Sequence, residues 1–144
     1  MAFSIHIADG RRRIGEIQIG AFSEYFHAHG GWPLARFRAE WRSQLEAVLG
    51  RKRKGMLPTT ANSTNIFLAW IIYRHKRRLY VQQRYFIRRG FDLIKGRIDP
   101  RRIKDEEGTK LSEWSVSLKE VADFLKKQPN QSITAQRASR VADC

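Results

Sequence analysis

Ile66 to Tyr73, IFLAWIIY, is a near-continuous apolar run rich in isoleucine and aromatic residues. Such a run marks a central strand buried on both faces, and it is far shorter than the roughly 18 apolar residues that span a bilayer. The basic segment Arg74 to Arg78 then reads as a turn. Beyond it, Leu79 to Ile87 alternates, with Leu79, Val81, Gln83 and Tyr85 on one side and Tyr80, Gln82, Arg84 and Phe86 on the other. The two segments are expected to pair at the heart of an antiparallel sheet.

Phe3 to Ile7 alternates, Asp9-Gly10 reads as a turn, and Ile14 to Gly20 alternates again, so the two runs can pair as a hairpin whose register Arg11 to Arg13 leave open. Phe22, Tyr25 and Phe26 form an aromatic patch, and residues 27 to 31 read as a glycine-rich connector. Pro33 suits the first turn of a helix, where its missing N–H would have had no partner. Leu34, Phe37, Trp41, Leu45, Val48 and Leu49 recur every three or four residues and predict a long amphipathic helix over about residues 33–49, ended by Gly50. Arg51-Lys52-Arg53-Lys54 follows, where cations would face the negative end of the helix dipole. A short basic run can also be a nucleic-acid patch, but the helix end suffices to explain it.

A second junction lies between Lys110 and Leu125. Trp114 and Val116 share one face of an extended segment, which is expected to join Trp41 and Leu45 in one core. Ser117 and Glu120 have the spacing of a capping box, and Leu118, Val121, Ala122, Phe124 and Leu125 give a short helix over about residues 118–127. Asp105 to Gly108 reads as a turn, making Arg101 to Lys104 and Lys110 to Ser117 a plausible hairpin. From residue 128 to 144 the chain is polar and interrupted by Pro129, a flexible tail by composition. The expected architecture is one α+β domain over residues 1–127, with a central antiparallel sheet packed by the long helix and the short C-terminal one.

Signs of chemistry are few. His27 and His29 lie two apart, close enough in an extended segment to hold a metal together, but no cysteine or further histidine follows at ligand spacing, so exposed loop histidines explain them better. His75 sits among cations and has no partner to make it a general base. There is no P-loop, no nucleophile elbow and no dinucleotide-binding turn. The chain is therefore expected to have no catalytic residues, no cofactor and no metal. The single cysteine, Cys144, excludes an internal disulfide; with no signal-peptide pattern at the N-terminus, this fits a soluble cytoplasmic protein.

The dominant global property is charge. A formal net charge of +14 and a pI near 10.7 predict attraction to something acidic, without choosing among nucleic acid, anionic membrane and protein. The excess is concentrated: Arg74 to Lys104 holds twelve lysines and arginines against only Asp92 and Asp99. A solvated basic face and a binding surface both account for it. Within this stretch Arg74, His75, Lys76, Arg77, Arg78, Arg84, Arg88 and Arg89 are the candidate partner-binding residues.

Several spaced words point further. A turn glycine followed by Ser112-Glu113-Trp114-Ser115-Val116-Ser117 and a short closing helix resembles the C-terminal half of an immunity-protein family from bacterial contact-dependent growth inhibition systems, the CdiI type. Glu16, Gly20, Phe22, Glu24 and Phe26, a helix centred on Trp41, Tyr73-Arg74 and Tyr80-Val81-Gln82 agree with that resemblance, which spans roughly residues 14 to 127. It implies a non-enzymatic cytosolic protein that binds and blocks the toxic domain of its own system's effector. Immunity proteins against nuclease toxins are often acidic. A basic one implies a toxin with an acidic face, or inhibition from outside the toxin's active site. Two alternatives remain open. Tyr73, Arg74, Tyr80, Arg84, Tyr85, Phe86 and Arg88 would make a stacking platform for a nucleic-acid-binding domain, and His75 or His27 would serve a small nuclease.

Overall fold

The computed structural model describes residues 3–62, 65–86, 91–92 and 97–128. In chain order the elements are β1 (Phe3–Asp9), β2 (Ile14–Ile19), β3 (Phe22–His27), α1 (Leu34–Gly50), β4 (Lys54–Asn62), β5 (Asn65–His75), β6 (Arg78–Tyr85), β7 (Phe91–Asp92), β8 (Trp114–Ser117) and α2 (Leu118–Lys127). They form an α+β domain with two antiparallel sheets. One is β1-β2-β3; the other runs β4-β5-β6-β8, with β7 pairing the start of β5.

β5 is central because its side chains are apolar on both sides of the pleat. Ile71, Ile72, Trp70 and Tyr73 are all buried. Residues paired across a ladder share a face, so the register places Gly55, Ile72, Val81 and Trp114 on one face and Met56, Ile71 and Gln82 on the other.

α1 covers the first face. Its stripe of Phe37, Trp41, Leu45 and Val48 is buried, and the Trp41 indole N–H donates to the Pro58 carbonyl at 2.6 Å. Gly55 permits the close approach: a Cβ there would lie 2.6 Å from Val48 Cγ2. The three-stranded sheet completes this layer through aromatic contacts. Phe26 meets Trp41 edge-on at 5.8 Å, Phe3 meets Phe124 at 5.5 Å, and Phe22 stacks on Trp114 at 4.0 Å. Trp41, Leu45 and Val116 belong to one buried cluster, and Trp114 packs against it half-buried.

The opposite face is covered by residues 97–113. Tyr73 Oη donates to the Asp99 carbonyl at 3.1 Å and Lys54 Nζ to the Ile98 carbonyl at 3.2 Å. The buried Gln82 amide donates to the Arg102 carbonyl (2.8 Å) and to Glu113 Oε2 (2.7 Å). Arg101 lies 4.0 Å above the Tyr80 ring and grips both oxygens of Glu113.

Three segments fold otherwise than their sequence suggests. The aromatic patch at Phe22 to Phe26 is a strand, β3, whose alternation is masked by Tyr25 on its exposed side. Lys54–Asn62 is also a strand, despite Pro58, because Pro58 adjoins a bulge at the edge of the sheet. The expected 101–117 hairpin keeps its turn, with Asp105 Oδ1 accepting from the N–H groups of Glu107 and Thr109, but its ladder is the single Lys104–Lys110 bridge. The Arg101–Glu113 pair holds the two arms flat on the sheet, and β8 pairs β6 instead, from Arg78↔Ser117 to Val81↔Trp114.

The C-terminal junction forms as its spacing requires: Ser117 Oγ accepts from the Glu120 N–H at 3.1 Å and opens α2. The expected tail beyond residue 128 lies outside the described residues.

Candidate functional site

Two basic runs, far apart in sequence, meet at one end of the molecule. The connection from α1 to β4 carries Arg51, Lys52 and Arg53. The two-residue turn from β5 to β6, Lys76-Arg77, in which Lys76 takes a positive φ of 56°, is flanked by His75 and Arg78 at the strand ends. The Arg74 N–H donates to the Arg53 carbonyl at 2.8 Å and locks the two together. Between them lies an open cavity of about 410 Å³, lined by Gly50, Arg51, Lys52, Arg53, Arg74, His75 and Lys76.

Within this end, Arg74 takes the helix-end position that the sequence suggests for the Arg51–Lys54 run. The free carbonyls of the last helical turn need donors. Arg74 supplies them from β5, its Nη1 donating to Val48 O at 3.1 Å and Leu49 O at 2.9 Å. The backbone N–H groups of Arg51 and Lys52 satisfy Ala47 O. The side chains of Arg51, Lys52 and Arg53 are left exposed, while Arg74 is half-buried. Lys54 points to the other face of the sheet, toward the Ile98 carbonyl.

Of the other candidate residues, His75, Lys76 and Arg77 are exposed on the turn, and Arg78 donates to Ser115 Oγ at 3.0 Å. Arg84 lies toward the opposite end of β6. It donates to Gln82 Oε1 at 3.0 Å, and its Nε is buried with no partner among the described residues. Arg88 and Arg89 lie outside the described residues. Sequence alone missed the proximity of Arg51–Arg53 to this turn, since it depends on the β4–β5 pairing that brings Lys54 opposite Tyr73. The unread strand β4 concealed the signal.

The aromatic platform does not form. Tyr73 is buried, with burial raising its hydroxyl pKa above the ordinary value and its Oη committed to the Asp99 carbonyl. Tyr80 lies beneath Arg101, and Phe86 packs against the core. Tyr85 alone of that set is exposed, at 69%. Among the described residues no three His, Cys, Asp or Glu side chains gather to hold a metal. His27 Nδ1 and His29 Nε2 lie 2.7 Å apart, an arrangement in which one ring donates to the other. Among the described residues, no helix is long and apolar enough to cross a membrane.

Comparison with known proteins places this architecture. The family described as the CdiI N-terminal domain matches residues 28–124. The chain is 28% identical over 101 residues to the Immunity protein CdiI of Enterobacter cloacae subsp. cloacae, covering 65% of this chain and 70% of that protein. Its structure is similar to a chain of the CdiA-CT/CdiI toxin and immunity complex from Enterobacter cloacae, with a TM-score of 0.66, 25% identity, and coverage of 78% of this chain and 84% of that one. The matched stretch takes in α1, the whole larger sheet and most of α2, and the chain belongs to the CdiI immunity-protein family.

Proposed function

We propose that this chain is an immunity protein that binds the C-terminal toxin domain of its own contact-dependent growth inhibition effector in the cytoplasm and neutralises it without catalysis. The observation that carries this reading is the family match over 28–124, joined to a structural neighbour taken from a toxin and immunity complex. The formal charge of +14 favours a toxin with an acidic face, to which the exposed basic turn from His75 to Arg78 would be drawn.

Growth provides the test. Bacteria induced to make the toxin domain encoded immediately upstream should stop dividing, and co-expression of this chain should restore division. Continued arrest, with both proteins made in soluble form, would remove the proposal.

A further inference from the structure

Resting on the immunity reading, we infer that the cavity between the α1–β4 connection and the β5–β6 turn is a docking pocket for a carboxylate-bearing loop of the toxin. Arg51, Lys52, Arg53, His75 and Lys76 would be the contacting residues, and Arg74 the residue that positions them.

Three observations carry this. First, the side chains of these cations do not close α1, because Arg74 Nη1 and two backbone N–H groups donate to the carbonyls of Ala47, Val48 and Leu49. Second, among the described residues no side chain hydrogen-bonds or ion-pairs with Arg51, Lys52, Arg53, His75, Lys76 or Arg77. Like charges gathered around one concavity repel, and a partner that brings opposite charge removes that penalty as it binds. Third, the site is a recess walled by two separate turns, so it admits a projecting loop. An RNA strand would need exposed rings to stack on. Among the described residues, the exposed aromatic of the larger sheet is Tyr85, at the far end of β6, about 23 Å from Arg78 at the rise of an extended strand. Arginine forks and lysine ammonium groups suit carboxylates, and Arg74 fixes the two walls at one spacing.

The test uses the full chain, the toxin domain encoded immediately upstream and a single-stranded RNA oligonucleotide. Lys52→Glu with Lys76→Glu reverses charge in the pocket. Lys126→Glu with Lys127→Glu makes the same change in net charge on the exposed last turn of α2. Both variants should still melt cooperatively, since all four side chains are exposed, with the control somewhat less stable because Lys126 and Lys127 face the negative end of α2. The pocket variant should associate with toxin about tenfold more slowly at low salt, the control by less than about twofold, with the difference shrinking as salt rises. Equal slowing in both variants would overturn the pocket while leaving the immunity reading intact, as would unchanged association in both. Parent protein that binds the RNA but not the toxin would overturn the pocket and the immunity reading together.

Discussion

Arg74 Nη1 donates to the Leu49 carbonyl at 2.9 Å, tying the central strand to the last turn of the long helix. The same nitrogen reaches Val48 O at 3.1 Å, so one half-buried guanidinium caps two carbonyls. Arg74→Ala should cost about 1.5 to 3 kcal/mol in denaturant unfolding, the range for hydrogen bonds to a charged group. The loss should appear in stability. A variant as stable as the parent would show the cap to be unimportant.

Glu113 contributes pH-dependent stability. The hydrogen bond from Arg101 lowers its carboxyl pKa below the ordinary 4.5, assisted by Gln82 and opposed by burial. A carboxyl whose folded pKa lies below its unfolded value stabilises the protein fully above the unfolded pKa, and this contribution is lost as pH falls through the folded value. The contribution should therefore be complete above about pH 5 and fade below about pH 4. Melting temperatures of the parent and Glu113→Gln should differ at neutral pH and converge in acid. A constant gap across that range would contradict the assignment.

Trp114 is half-buried, stacked on Phe22 at 4.0 Å and edge-on to Trp70 at 5.8 Å. Trp114→Ala should cost about 3 kcal/mol, the lower end for truncating a large aromatic, because part of its surface already meets water. Trp114→Phe should recover much of that loss. A thermal melt of the alanine variant that overlays the parent would show that the link between β8 and the three-stranded sheet is dispensable.

Gly55→Ala tests the contact of helix with sheet. The added methyl would meet Val48 Cγ2 at 2.6 Å, and the helix must shift to relieve it, at a cost of about 1 to 3 kcal/mol. Gly50→Ala, where a Cβ meets nothing within 4 Å, should lie close to the parent in the same unfolding assay. Equal effects at the two positions would contradict the packing.

The elements that sequence made legible were those with a single clear period: the stripe of α1, the double-sided run of β5, the alternation of β6 and the Ser117 cap of α2. β3 and β4 were hidden for local reasons. Tyr25 puts an aromatic on a solvent face, and Pro58 interrupts β4 where a bulge accommodates it. The candidate site was half legible for a related reason. Charge marked the turn at His75 to Arg78, but the approach of Arg51 to Arg53 and the commitment of Arg74 to the helix end depend on tertiary pairing.

Toxin binding by this chain, as proposed, is measured by titration calorimetry with the purified toxin domain encoded upstream. A saturable heat of binding to that domain is expected, and none to the toxin domain of an unrelated system. No saturable binding to the cognate domain, with both proteins folded, would contradict it.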